Sequence, residues 1–211
     1  MLNVFVFYAT EIKMQDNCFL LYKWTIYQPP AKKTFSHFKQ SLKEKLEKWE
    51  SLKPDLNISP VFFCNKKRFF IVFFDIEEII FPNLAIQYWY TFTGKGLHIY
   101  LPIYTDYKSI LKHRTEIIAM FKNTSVDIIT SLRITPFRFF GGYSYKHNIW
   151  LHPYTKKLPI EKLKENSKKS PFELYTKDEL YKSIVSYFEN LKYQTIQKTL
   201  NVYKAVANEI R

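Results

Sequence analysis

Two carboxylates stand at the end of the most apolar run in the sequence. Asp75 and Glu77 follow residues 69–74, which are all Phe, Ile or Val. On a strand, alternate residues share a face, so the two acids project to the same side. Neighbouring carboxylates repel each other unless solvent or a cation neutralises them, and Mg²⁺ prefers carboxylates together with substrate phosphates. The pair is therefore a candidate metal site, with the start of an ordinary exposed loop as the alternative.

The four glycines of the chain fall in two short stretches that are rich in Lys, Arg and Thr. Gly94 and Gly96 belong to the first stretch, and Gly141 and Gly142 belong to the second. Glycine permits positive φ and lets backbone N–H groups approach a ligand closely, so both stretches are candidate anion-binding loops. For the first stretch, a simple hairpin turn explains the glycines equally well.

A histidine and an aspartate follow in places where they could join this chemistry. His98 begins a β-rich run just after Gly96, although a lone histidine is more often structural. Asp127 precedes a basic, glycine-bearing segment whose cations include Arg133, Arg138 and Lys146. Such cations suit contacts with a triphosphate or a backbone phosphate, and a solvated basic loop would have the same composition.

Apolar patterning predicts the elements that would position these residues. Alternation with period two predicts strands at residues 3–8 and 19–27, and runs rich in β-forming residues predict strands at 69–77, 85–92 and 97–104, with a short strand at 126–130. Spacings of three and four predict helices at residues 35–49, 106–122, 176–191 and 196–210, the third opened by a capping box of Thr176 and Glu179. Residues 93–96 would join two strands as a hairpin. This order predicts an α+β fold with a half-covered sheet.

Composition limits the class of protein. Lys and Arg number 32 against 19 Asp and Glu in 211 residues, a net charge of +13. This excess predicts a partner rich in phosphates, with an acidic membrane surface as the competing interpretation. A chain that is 46% hydrophobic and 18% aromatic is not a disordered protein.

The sequence offers little evidence for a targeting segment or for a cysteine-based site. No apolar run reaches the roughly 18 residues of a spanning helix, and the N-terminus lacks a basic leader and a cleavage site, so we expect an intracellular protein. Cys18 and Cys64 stand far apart with no CxxC pair, which supports neither a disulfide framework nor a zinc site. We expect both to be buried thiols.

The order of the candidate residues resembles the archaeo-eukaryotic primase superfamily. The first motif of that family is an acidic pair on a strand, matched by Asp75 and Glu77. The second is a small residue, any residue and a histidine, matched by Gly96 and His98, and the third is an aspartate after a hydrophobic residue, matched by Asp127. Residues 93–102 also resemble the polymerase domain of bacterial end-joining ligases.

The downstream segment is similar to the small catalytic subunit of archaeal primases. The arginines and the Gly-Ser-x-x-x-Lys element of that family correspond roughly to Arg133, Arg138, Gly142, Ser144 and Lys146. The resemblance covers residues 68–146 and has departures: Glu77 stands where many members have aspartate, and Gly96 stands where serine is frequent. The second departure removes one hydroxyl contact to phosphate, and the zinc module of many small primase subunits is missing from the sequence.

The resemblance implies a primase fold with three parts. Residues 66–158 would form a palm-like catalytic sheet related to the RNA-recognition motif, residues 1–65 an N-terminal α/β lobe, and residues 159–211 a C-terminal helical segment. The implied activity is that of a DNA primase or primase-polymerase, a metal-dependent nucleotidyltransferase that makes or extends RNA or DNA primers on single-stranded DNA.

The resemblance also implies roles for individual residues. Asp75, Glu77 and Asp127 would be the catalytic residues and would bind two Mg²⁺ or Mn²⁺ ions, with no zinc. The NTP or dNTP would be held by Lys95, Gly96, His98, Arg133, Arg138 and Lys146.

Partners and location follow from the same resemblance. The template would be single-stranded DNA, with a large primase subunit or a helicase as a possible protein partner and no membrane. The location would be the cytoplasm of a prokaryote, or a host cell if a plasmid or virus encodes the chain. The alternatives are a non-catalytic accessory subunit with the primase fold, an end-joining or repair polymerase, and a generic basic nucleic-acid-binding module.

Overall fold

The computed structural model describes residues 18–25, 53, 55–64, 67–134 and 137–211, with backbone alone for residues 18–25 and 55. The strand predicted at residues 3–8 and the helix predicted at residues 35–49 lie outside these ranges. The protein has an α+β fold, as predicted.

A seven-stranded, mostly antiparallel sheet forms the centre of the described part of the chain. Its strands are β1 (Cys18–Thr25), β2 (Asp55–Cys64), β3 (Lys67–Ile76), β4 (Trp89–Phe92), β5 (Leu97–Asp106), β6 (Phe137–Arg138) and β9 (Lys192–Tyr193). The main order is β1-β2-β3-β5-β4, with β6 paired to β2 and β9 parallel to β5. A separate hairpin consists of β7 (Tyr143–Ser144) and β8 (Ile149–Trp150).

Helices connect and cover these strands. They are α1 (Tyr107–Lys112), α2 (Arg114–Met120), α3 (Ile128–Ser131), α4 (Ile160–Ser167), α5 (Pro171–Leu174), α6 (Lys177–Glu189) and α7 (Ile196–Glu209). The predicted capping box opens α6, where the Glu179 N–H donates to Thr176 Oγ1 at 3.2 Å. Within the described ranges, no helix is both long and apolar enough to cross a membrane.

The sheet is buried on both faces. Phe70, Val72 and Phe74 of β3 share one hydrophobic cluster with residues of α1, α2 and α7. Ile71 and Phe73 belong to a second cluster that includes residues of α6. The prediction of a half-covered sheet is therefore wrong, because the apolar run of β3 is continuous and a continuous run is typical of a strand with two covered faces.

Several predicted boundaries differ from the structure. Of residues 85–92, only Trp89–Phe92 form a strand. The helix predicted over residues 106–122 is interrupted at His113, which has φ −98° and ψ 10°, so that α1 and α2 are separate. Of the apolar residues near the end of α1, Ile110 is buried and Leu111 is 49% exposed.

Three further features depart from expectation. Val126 forms one isolated bridge to Ile76, and the chain then enters α3, so the strand predicted at residues 126–130 is wrong. The ten-residue strand β2 has no counterpart among the predicted elements. Cys64 is half-buried and disulfide-bonded, with Cys18 as its Cα partner in the β1–β2 register, so the expectation of two thiols is also wrong.

Candidate active site

Strand pairing brings the two candidate aspartates and the histidine together. Asp75 of β3 is in register with His98 of β5. On its other side, the Asp75 carbonyl accepts a hydrogen bond from the Asp127 N–H at 2.8 Å, next to the bridge between Ile76 and Val126. Because directly opposite residues of antiparallel strands share a face, the arrangement places Asp127, Asp75 and His98 in one row across the sheet.

Asp75 begins a chain of polar contacts that leads to β6. His98 Nε2 lies 3.3 Å from Asp75 Oδ1, and His98 Nδ1 lies 3.4 Å from the Tyr100 hydroxyl. That hydroxyl donates to the Arg138 carbonyl at 2.8 Å. The imidazole is thus held between a carboxylate and a phenol, with only 12% of its surface exposed.

The charge of Asp75 is favoured by its neighbours. Burial alone would raise the pKa of this carboxyl, but the hydrogen bond to His98 and the charges of His98, Arg138 and Lys146 outweigh burial and hold the pKa below its ordinary value. Asp75 is therefore an ionised carboxylate surrounded by cationic groups, which is an electrostatic setting that also attracts phosphate.

Asp127 has a structural task in addition to its place beside Asp75. It caps α3: Oδ1 accepts from the Thr130 N–H at 2.9 Å, and Oδ2 accepts from the Thr130 hydroxyl at 2.6 Å. Ser131, which is fully buried, donates to the Asp127 carbonyl at 2.9 Å and accepts from the Asp75 N–H at 3.0 Å. Ser131 therefore fixes the two aspartates relative to each other.

Glu77 lies at the rim of this row and pairs with the hairpin turn. Its Oε2 is 3.5 Å from Lys95 Nζ, and the side chains are 60% and 69% exposed. Its N–H donates to the Ser125 carbonyl at 2.8 Å. An exposed pair of this kind is weak, so either partner can exchange it for another ligand at little cost.

Gly96 holds the hairpin turn against the end of β3. A Cβ atom on Gly96 would lie 1.9 Å from the Ile76 carbonyl oxygen, which no side chain can tolerate. Its N–H donates to Thr93 Oγ1 at 3.2 Å within the turn. In this structure Gly96 therefore positions Lys95 and His98, and its backbone donor is already engaged.

The basic residues divide into two groups. Arg138 and Lys146 lie near enough to Asp75 to lower its pKa. Arg133, in contrast, is exposed after α3, and no described contact brings it to Asp75.

The loop between β7 and β8 approaches the hairpin turn between β4 and β5 through His147. A Cβ atom on Gly94 would lie 2.8 Å from the His147 Cβ.

Carboxylates are suitable ligands for a hard divalent cation, although the described side chains do not form a complete set of ligands around one point. Oxygen donors are the ligands that Mg²⁺ and Mn²⁺ prefer, and Asp75 and Asp127 present them on adjacent backbone. Among the residues that the structure describes, no group of three or more His, Cys, Asp or Glu side chains is arranged to hold a metal. To ligate a metal together, Asp127 would have to bind it with oxygens that already accept hydrogen bonds from Thr130, and Glu77 would have to break its ion pair with Lys95.

Three residues at this site were not predicted from the sequence. Tyr100 and Ser131 join the polar contacts of Asp75, and His147 packs against the turn. Alternation along β5 indicates that Tyr100 shares the face of His98, so its place was open to prediction. The contacts of Ser131 and His147 are long-range, and no local pattern signals them.

Comparison of the chain with protein-family models, with curated proteins and with solved structures finds no match.

Proposed function

We propose that the chain is a metal-dependent nucleotidyltransferase of the primase-polymerase class, with the archaeo-eukaryotic primase fold. The observation that carries the proposal is the row of Asp127, Asp75 and His98 across neighbouring parts of one sheet, with Arg138 and Lys146 close to Asp75. Carboxylates for a metal beside cations for a phosphate are the two requirements of phosphoryl transfer.

The carboxylates would hold the metal. Asp75 and Asp127 are the ligands that the backbone already places side by side, and Glu77 would join them on leaving Lys95. A bound divalent cation would orient the reacting oxygens and neutralise the charge that develops on the phosphoryl group.

The cations and the histidine would position the triphosphate. Lys95, Arg138 and Lys146 supply positive charge around the carboxylates, which raises the local concentration of a polyanionic substrate. His98 is fixed by Asp75 and Tyr100, so its ring reaches the substrate with little loss of side-chain entropy. The remaining basic surface would follow the template strand, with NTP or dNTP as the second substrate.

A synthesis assay on single-stranded DNA tests the proposal. Wild type and the D75N/E77Q variant are compared with Mg²⁺ or Mn²⁺, with NTPs or dNTPs, and with or without an annealed primer. Products from unprimed template that vanish in the variant would identify a primase, and extension of supplied primers alone would identify a polymerase, including the end-joining type. The absence of incorporation under every condition, with a folded protein that binds DNA, would overturn the proposal.

An accessory subunit of a replication complex is the second candidate. It is favoured by one observation, that Asp127 caps α3 with both oxygens while Glu77 pairs with Lys95. Such a subunit would bind nucleic acid together with a large primase subunit or a helicase. It differs from the enzyme in one measurable property, because it would bind DNA and its partner without incorporating any nucleotide.

A further inference from the structure

A cavity unrelated to the Asp75 site opens at the opposite end of the same strands. It has a volume of about 500 Å³ and is lined by Lys67, Arg68, Asp106, Tyr107, Lys108 and Leu111. Arg68 precedes Asp75 by 7 residues on β3, which corresponds to about 23 Å at 3.3 Å per residue. The cavity contacts α1 and so lies on the face of Phe70, whereas Asp75 shares the face of Phe73. One ligand group therefore cannot occupy both places.

The cavity carries uncompensated positive charge. Lys67, Arg68 and Lys108 are exposed, and no ion pair within the described ranges engages them. Asp106, the only acid among the described lining residues, is committed to capping α1, where Oδ1 accepts from the Ser109 N–H at 2.9 Å and from its hydroxyl at 3.2 Å. Among the described lining residues, three cations therefore stand beside one carboxylate that is already hydrogen-bonded. A bound anion with at least one negative charge would neutralise part of this excess.

The lining also has a fixed, partly apolar wall. The Tyr107 ring stacks on Phe70 with centroids 6.5 Å apart, and the Arg68 guanidinium lies over the Phe63 ring at 5.6 Å. Leu111, next to them, is 49% exposed. Cations beside an aromatic ring and an exposed leucine match a ligand that combines phosphate with a flat apolar group.

We propose that this cavity is a second phosphate-binding site, which takes the sugar-phosphate backbone of a nucleic-acid strand. The choice of a nucleic-acid ligand rests on the proposed function, whereas the anion preference rests on the cavity alone. The site would hold a stretch of strand away from the reacting end and so contribute affinity without contributing to the chemistry.

The salt dependence of strand binding tests the proposal. The K67Q/R68Q/K108Q variant is compared with a K177Q/K198Q/K204Q control, which removes the same charge from exposed lysines elsewhere. Fluorescence anisotropy measures binding of a labelled single-stranded oligonucleotide across a range of salt, without metal or nucleotide. Each phosphate contact on a single strand contributes a slope of about 0.7 to log K against log salt, so loss of three contacts should make the slope shallower by about 2.

The outcomes separate the cavity from its alternatives. A shallower slope in the cavity variant with an unchanged slope in the control supports the proposal, and equal losses in both variants would overturn it as a mere effect of net charge. The proposal would also be overturned if the cavity variant bound the strand as before and lost binding only of inorganic phosphate, or only of vesicles containing anionic phospholipid. A K67Q/K108Q variant, which leaves Arg68 on Phe63, should lose about 1.4 of the slope and guards against misfolding.

The test is independent of catalysis. Repeating the comparison in a D75N background distinguishes the two proposals, because the cavity effect should persist there in full. If synthesis fails but the slope changes as expected, the proposed function is wrong and the phosphate site stands. If synthesis succeeds and the slope does not change, the phosphate site is wrong and the enzyme stands.

Discussion

Asp127 combines two roles that one pair of substitutions can separate. As a helix cap it accepts two hydrogen bonds from Thr130, and as a proposed metal ligand it must carry a negative charge. Asparagine caps helices about as well as aspartate, and its carbonyl oxygen can accept from the Thr130 N–H. The Thr130 hydroxyl can rotate to accept from the new amide, so D127N should preserve the cap and remove only the charge.

The magnitudes follow from the cap energy. D127A removes both bonds and should cost about 1 kcal/mol of folding free energy, within the range of 0.5–2 kcal/mol for lost caps. For a chain of this size, 1 kcal/mol corresponds to a fall in melting temperature of about 2–4 °C. D127N should melt within about 1 °C of wild type on the same scale, and both variants should lose metal-dependent nucleotide incorporation.

Thermal melting by circular dichroism and an incorporation assay measure the two roles. Asp106 provides the stability control, because it caps α1 by accepting from the Ser109 N–H and hydroxyl, both at Oδ1, and D106N and D106A should melt in the same order. If D127N melts as low as D127A, the assignment of the cap is wrong. If D127N incorporates nucleotide at the wild-type rate, the assignment of Asp127 as a metal ligand is wrong.

Three other predictions concern stability. Because contacts with His98 and nearby cations hold the pKa of Asp75 below its ordinary value of 3.8 despite burial, the stabilisation from the ionised carboxylate is complete above that value and is lost as pH falls through the lowered pKa. The difference in melting temperature between wild type and D75N should therefore shrink as the buffer is made more acidic than about pH 5; a difference that grows there would contradict this reasoning. Gly96→Ala should lower the free energy of unfolding by about 3 kcal/mol or more, because the new Cβ would overlap the Ile76 carbonyl. A loss of less than about 1 kcal/mol in chemical denaturation would refute this close contact between Gly96 and Ile76. Thr105→Val should raise the melting temperature, because the buried Thr105 hydroxyl has no hydrogen-bond partner within the described residues. Each kcal/mol gained in the free energy of unfolding corresponds to a rise of about 2–4 °C. A variant that melts below wild type would show that the hydroxyl is satisfied.

Local signals accounted for the elements that the sequence predicted well. The capping box of Thr176 and Glu179 marks the start of α6, and the glycines at 94 and 96 mark the hairpin between β4 and β5. The spacing of apolar residues marks α7. Each of these signals lies within a few residues of the element that it specifies, which is why no tertiary information was needed.

Other elements depend on contacts between distant residues. The sequence of β2 contains Pro60 and lacks clean alternation, and the strand exists because β1 and β3 pair with it. At 126–130, the apolar pattern favoured a strand, but Asp127 and Thr130 form a helix cap that outweighs it. A cap signal was present in the spacing of these two residues and was open to prediction.

The site shows the same division. Alternation placed Asp75 and Glu77 on one face, but only the strand register shows that Asp75 meets His98 while Glu77 turns to Lys95. The proximity of Arg138 and Lys146 to Asp75 comes from the chain returning after α3, and no local pattern specifies such a return.

The central claim is that Asp75 is the core of a metal-dependent nucleotidyl-transfer site, and a single substitution tests it most directly. D75N is compared with D178N, a matched change of an exposed aspartate in the first turn of α6, in a template-directed incorporation assay with Mn²⁺. Both variants are first shown to be folded by thermal melting. We expect D178N to incorporate nucleotide as wild type does and D75N to incorporate none. Incorporation by folded D75N at the wild-type rate would contradict the account.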